Sequence, residues 1–403
     1  MTPTVDCSPA TIDIEDLGFD AGAHLLVKHA LAHVAVGGRL RVTGQGAGWQ
    51  APLAHWCRSQ GHAISLEGEA AVIARGSAQT GRWRDALATG RSDPHVPGAV
   101  LEQAEPGWGL AARGALVEAG SPSFAFRLDR KEEVWCDNAA ELYAQAVAAQ
   151  WNPDTALDWS VSFTHPPEIE QAVCQVMTYM VENENAALLV PARFLGQIHP
   201  HFREMQAALA IQVADEARHI DVFTRRIRKG GREPALSTAG GQASLKTLLD
   251  EPDFSMASFL LSVQGEGSFV HLLQFLAEHG PDPLTRQICK LAARDEARHV
   301  ALGMSHLLYR LQAGPALRQQ LARAMQQRHE GLSGTSGLNE EVFDALILIG
   351  AGALDIAALR RGFERVQALV RDMAGGRFAR LLRLGFERDE AQRLSLLHTR
   401  NFM

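Results

Sequence analysis

The spacing of apolar positions along this 403-residue chain changes twice. Over roughly 11–76, short alternating runs and glycine-rich turns prevail. Leu25, Leu26, Ala30, Leu31 and Val34 recur at helical spacing until Gly37-Gly38 breaks the pattern. Arg39-Leu40-Arg41-Val42-Thr43 alternates like a strand, 52–60 reads as a second helix closed by Gly61, and 70–75 as a last strand. The order β-α-β-α-β predicts a small two-layer α+β domain over residues 1–77. Residues 78–160 are punctuated by Pro94, Pro97, Pro106, Gly107 and Pro122, and only 138–149 carry a helical pattern. This stretch is expected to be a connector, with the Trp151-Asn152-Pro153 cluster leading into the next domain. From Pro166 onward the 3.6-residue period takes over. It predicts helices over 167–197, 201–229, 255–278, 284–312 and 315–330, a broken one over 340–375, and one over 378–397. Four long helices, joined by short turns and one crossover at 230–254, predict an all-α four-helix bundle with extra C-terminal helices over 161–403.

Composition narrows the class without naming a chemistry. A 46% hydrophobic content supports real cores and excludes a disordered chain. The 39 basic and 46 acidic residues give a net charge of −7 with no long single-sign run, which argues against nucleic-acid and membrane partners. Cys7, Cys57, Cys136, Cys174 and Cys289 are scattered and form no Cys-x-x-Cys, so neither a disulfide framework nor a thiolate zinc site is expected. A reducing, cytoplasmic setting fits that usage. The turn-like Gly44-Gln45-Gly46-Ala47-Gly48 lacks the Lys-Ser/Thr of a phosphate loop.

Chemistry is concentrated in a repeat. Asp215-Glu216-Ala217-Arg218-His219 recurs unchanged as Asp295-Glu296-Ala297-Arg298-His299. Glu and His at i and i+3 share one helix face, so each pair can reach a single ion. Glu184 precedes Glu216 by 32 residues and Glu266 precedes Glu296 by 30. Aligning Val181-x-x-Glu184 with Val263-x-x-Glu266 favours Glu184 over Glu182, which falls opposite Gln264. The expected ligands are therefore Glu184, Glu216, His219, Glu266, Glu296 and His299, with Met205, Leu209, Phe223, Ile227, Ile288 and Leu307 as apolar neighbours. Buried acids and imidazoles on such faces are costly unless a cation compensates them. Four carboxylates and two imidazoles suit iron or manganese better than copper or structural zinc, and leave positions open for dioxygen. Metal-bound imidazoles need an acceptor for the second nitrogen. Asp215 is expected to serve His299, Asp295 to serve His219, and Arg218 and Arg298 to pair across the same layer. Gly265 and Gly267 flank Glu266 and mark an unwound or π-bulged turn. His306 reads as a core histidine.

The paired Asp-Glu-x-Arg-His motif, with glutamates 30–32 residues upstream, resembles the di-iron carboxylate oxygenases of the ferritin-like superfamily. These include the hydroxylase subunits of bacterial multicomponent monooxygenases and, more distantly, p-aminobenzoate N-oxygenase and rubrerythrin. Over residues 166–312 the resemblance implies a ferritin-like bundle holding two Fe, with Mn or a mixed Mn/Fe pair as the alternative. It also implies an oxidoreductase of monooxygenase type that uses O2 and an external electron donor to hydroxylate or N-oxygenate a small organic molecule. A homodimer is the candidate assembly, and handling of iron or peroxide is the alternative function. The chain departs from its relatives at Val270, where the multicomponent hydroxylases carry threonine, and at Ala292, where the N-oxygenase carries histidine. It also lacks a rubredoxin-type Cys₄ module, and Tyr143, Tyr179 and Tyr309 are its only tyrosines.

A second resemblance covers residues 1–77. Leu17-Gly18, Leu25, Leu26 and Lys28, then Gly38-x-Leu40-x-Val42, then Cys57 with Gly61-His62 resemble the TusA family of sulfur carriers. The family's Cys-Pro-x-Pro is replaced by Ala21-Gly22-Ala23-His24, and Cys7-Ser8-Pro9 falls before the first strand. The resemblance thus implies a degenerate carrier domain without its nucleophile.

Overall fold

The computed structural model describes residues 10–80, 83–333 and 340–397, so Cys7-Ser8-Pro9 lies outside the described residues. The chain divides into two compact units. One comprises 1–88 with 116–121, and the other 89–115 with 122–403. The stretch expected as a connector is thus shared between them.

The first unit runs β1 (Ala10–Asp13), α1 (Ala23–Ala32), β2 (Arg39–Thr43), α2 (Gln50–Ser59), β3 (Ala63–Glu67) and β4 (Ala70–Ala74). A two-stranded ribbon, β5 (Leu87–Ala88) with β6 (Leu116–Val117), completes it. The main sheet has the order β1-β2-β4-β3, with β1 parallel to β2 and the other pairs antiparallel. Val27, Leu31, Leu40, Val42, Leu53, Cys57 and Ile73 form its core. The expected β-α-β-α-β order lacked β3. That strand lies at the sheet edge with only Ile64 and Leu66 as large apolar residues, and Leu66 is exposed, so it carries no buried apolar stripe to read. Gly46 and Gly48 both take positive φ in the turn between β2 and α2.

The second unit opens with three short helices, α3 (Lys131–Val134), α4 (Ala139–Ala148) and α5 (Pro153–Ala156). The long helices follow: α6 (Pro167–Leu195), α7 (Arg203–Lys229), α8 (Ala239–Leu249), α9 (Phe254–Ser258), a π-helix (Phe259–Glu266), α10 (Gly267–His279) and α11 (Pro283–Ala313). Then come α12 (Leu317–Ser333), α13 (Glu340–Ala351), α14 (Ile356–Arg383) and α15 (Arg388–Ser395). Side-chain caps set several starts: Thr238, Asp253, Asp282 and Asp355 each accept from the backbone N–H three residues on. Proline occupies the first position of α6 and of α11, where its missing N–H costs nothing.

The bundle consists of α6, α7, the α9–π–α10 run and α11, around a core that includes Met177, Phe223, Leu272, Ile288 and Leu346. Two expectations need correction. The crossover at 230–254 contains α8, which packs on α6. The helix over 255–278 changes pitch in its middle, in the π-helix that ends at Glu266, where the flanking glycines mark an unwound or π-bulged turn. The expected break near 376 is absent: α14 runs through Gly375-Gly376, because a Cβ at Gly376 would lie 2.3 Å from His271 Nε2. That glycine permits close packing, and the helix ends instead at Gly385, whose φ of 79° an L side chain rarely adopts. The break between α13 and α14 does occur, with the two axes at 116°. No single helix among the described residues is long and apolar enough to cross a membrane.

Candidate metal centre

Four separate helical segments deliver the six expected ligands to one buried layer. Glu184 projects from α6, Glu216 and His219 from α7, Glu266 from the last position of the π-helix, and Glu296 and His299 from α11. None is more than 4% exposed. Their ligand atoms fall into two groups in which all atoms lie within 4.8 Å of one another. One group is Glu184, Glu216, His219 and Glu296; the other is Glu216, Glu266, Glu296 and His299. Glu216 and Glu296 belong to both. Two adjacent ions with a pair of shared carboxylates fit that overlap.

The imidazoles are oriented from both sides. His219 Nδ1 lies 3.2 Å from Glu216 Oε2, 3.4 Å from Glu296 Oε1 and 3.6 Å from Glu184 Oε2. His299 Nδ1 lies 2.9 Å from Glu216 Oε1 and 3.4 Å from Glu296 Oε2. Both Nε2 atoms point outward, His219 to Asp295 Oδ2 at 3.1 Å and His299 to Asp215 Oδ2 at 3.3 Å. The pairing is crossed: each histidine is held by the aspartate of the other helix. Arg218 Nη2 donates to Asp215 Oδ1 at 2.5 Å and to Asp295 Oδ2 at 2.9 Å. Arg298 Nη2 donates to Asp295 Oδ1 and lies 3.5 Å from Asp215 Oδ2. Each arginine therefore bridges both aspartates across this layer.

Two residues of the expected connector complete this layer. Gln150 Nε2 donates to Asp215 Oδ1 at 2.7 Å and Trp151 Nε1 to Asp295 Oδ2 at 2.8 Å, with the Arg218 guanidinium 4.7 Å from the Trp151 ring. Gln212, one turn before Glu216, donates to Glu266 Oε1 at 3.0 Å. Sequence reasoning missed all three. Only the Trp151-Asn152-Pro153 cluster offered a signal, and it spoke of chain direction.

Neutralisation decides whether a cation fits. The arginines serve the aspartates, which leaves four carboxylates and two imidazoles to one another. Glu184 Oε1, Glu266 Oε2 and both oxygens of Glu296 are buried without a hydrogen-bond partner, and His299 Nδ1 and Glu216 Oε1, buried 2.9 Å apart, have only each other. Burial, then the Glu216 and Glu296 charges, pushes the Glu184 carboxyl well above its usual range. Burial and then Glu296 do the same to Glu266. Burial opposes a charged imidazole, yet the Asp295 bond and Glu184 raise His219 well above the ordinary value, and Glu216 and Asp215 raise His299. A divalent cation supplies the charge these groups lack and converts orphaned oxygens into ligands. The residues fit two hard metal ions.

A small, mostly apolar pocket adjoins the layer at Glu184, Glu266 and Glu296. Ala187, Leu245, Leu248, Leu261 and Phe269 line it, so α8 covers the site. His306 is buried and hydrogen-bonded to Ser255 Oγ and the Trp135 carbonyl, away from the ligand groups, as a core histidine.

No protein-family model and no curated protein matches the chain. Solved structures similar to it include an R2-like ligand-binding oxidase from Sulfolobus acidocaldarius, 15% identical over 59% of this chain and 90% of that one, with a TM-score of 0.40. A protein with aldehyde deformylating oxidase activity from Synechococcus is 16% identical over 59% of this chain and 98% of its own, with a TM-score of 0.40. A variant R2-like ligand-binding oxidase with a reconstituted Mn/Fe cofactor is 16% identical over 62% and 93%, with a TM-score of 0.45. None of these comparisons supports a TusA-like first unit. Cys57 there is fully buried, and burial pushes its thiol up to about 11.

Proposed function

We propose that this protein is an O2-activating oxidoreductase with a carboxylate-bridged pair of iron ions, or a Mn/Fe pair, that oxygenates a small apolar organic molecule. The observation that carries this reading is the overlap of two buried ligand groups at Glu216 and Glu296. Glu184 and His219 would complete one ion's shell, Glu266 and His299 the other's. When bound, such a pair supplies electrons to dioxygen and the oxidising equivalent for substrate. The chain's own residues do the rest. Asp215 and Asp295 accept the Nε2 protons and fix Nδ1 toward the ions. Gln212 holds one oxygen of Glu266, leaving the other to bind. Leu245, Leu248, Leu261 and Phe269 exclude water and offer substrate an apolar wall beside the carboxylates.

The test is anaerobic loading with Fe(II), followed by isotopically labelled dioxygen, a reductant and a panel of small apolar amines and hydrocarbons. Expected are two metal ions per chain and a product that carries label. Iron oxide mineral growing beyond the loaded iron, without labelled product, would favour storage and overturn the proposal.

A further inference from the structure

A second, small and partly open pocket borders the π-helix, and its polar lining is Gln264, Arg328, His329 and Arg377. Gln264 is 6% exposed, and both atoms of its amide lack hydrogen-bond partners. Arg377 is 1% exposed: Nη1 donates to the carbonyls of Ser395 and Leu397 at 3.0 and 3.1 Å, but Nη2 is buried and unpartnered. Arg380, one turn further along α14, leaves Nε and Nη2 in the same condition. Its guanidinium rests on Gly267, where a Cβ would meet Arg380 Cζ at 2.5 Å. Glycine at that position lets a charged group reach the turn that follows Glu266.

Neither Arg377 nor Arg380 has a carboxylate in an ion pair among the described residues. Burial pushes both down to about 10, with Arg377 adding to the effect on Arg380. Two uncompensated guanidiniums at one place are unfavourable unless an anion joins them. The fork of N–H donors on arginine, with an amide N–H beside it, matches the planar or tetrahedral oxygens of an oxyanion.

We infer that Gln264 and Arg377 bind the oxyanion of a small molecule, a carboxylate or a phosphate group, against the π-helix that carries Glu266, with the Arg380 guanidinium one turn along α14 adding positive charge beside them. This site stands apart from the proposed oxygenase reading, and metal loading is not required for it. Its occupant touches α14 and the segment holding a metal ligand.

The test titrates inorganic phosphate and, separately, acetate into the metal-loaded full-length protein at constant ionic strength, by calorimetry and thermal melting. At least one anion should bind saturably and raise Tm. Tighter phosphate assigns a phosphate-bearing ligand, and tighter acetate a carboxylate. Arg380→Met should weaken binding about tenfold or more, while its anion-free Tm stays level or rises because an uncompensated charge is gone. If that variant fails to fold, Gln264→Leu tests the same site. Absence of saturable binding by either anion, or unchanged affinity in the folded variants, would overturn the inference.

Discussion

Glu216 and Glu296 each serve both ligand groups, whereas Glu184 and Glu266 serve one apiece. Truncation should therefore act unequally. Glu216→Ala is expected to abolish retention of both ions and Glu184→Ala to lose one, as read by elemental analysis after gel filtration. Glu182→Gln should keep both, because Glu182 is half-buried against Ser237 and Gln242. Loss of metal from Glu182→Gln with retention in Glu184→Ala would reverse the assignment. The six candidate ligand positions could be read in the sequence because identical pentapeptides and matched upstream glutamates repeat at helical spacing. Gln150 and Trp151 could not. They reach Asp215 and Asp295 across 65 and 144 residues, from a stretch with little helical period.

Among the elements, the π-helix makes the two halves of the repeat unlike. Glu184 sits in a regular α-helix, while Glu266 ends an eight-residue stretch of wider turns. Glycines on both sides of Glu266 hinted at this, since they weaken α-helical preference there. The pitch itself was hidden, because it depends on what packs against it. Gly303 of α11 is one such partner, where a Cβ would lie 2.8 Å from Ser262 Cβ. Gly303→Ala gains up to about 1 kcal/mol of helix propensity but forces the two helices apart, at about 1–3 kcal/mol. A net fall in Tm together with weaker metal retention is expected, and an unchanged or higher Tm would show that the π-helix yields freely. The same logic explains Gly376, whose role against His271 mimics a helix stop in sequence.

Across the whole molecule, a buried ion cluster ties three bundle helices together. Arg226 is fully buried and donates to Glu170 Oε1 at 2.7 Å, to Asp282 Oδ2 at 2.8 Å and to Thr285 Oγ1 at 2.7 Å. It joins α7 to α6 and to the cap of α11. Burial opposes ionisation of Glu170 and Asp282, yet Arg226 holds both below the usual carboxylate range. Acids held low stabilise the fold fully above their unfolded values, near pH 4, and that contribution fades as pH falls through the folded values. Arg226→Leu leaves Asp282 buried without a cation and Glu170 with only His165 Nε2, 2.6 Å away, and should cost about 3–5 kcal/mol at pH 7. Its pH dependence should also invert, with stability rising from pH 7 to pH 5 as the acids take up protons. Urea melts at both values would check this. A variant less stable at pH 5 than at pH 7 would mean that the cluster relaxes into water.

The crossed hydrogen bonds carry an implication for ancestry. His219 is oriented by Asp295 and His299 by Asp215, so each helical hairpin aligns the other's imidazole and not its own. An ancestor one hairpin long could have organised this site only as a pair of chains, and duplication would then have fused an obligate partnership into one polypeptide. A chain cut in the segment between α7 and α8 should retain that dependence. Fragments 1–234 and 235–403, expressed separately, should bind metal weakly or not at all, and should regain it on mixing.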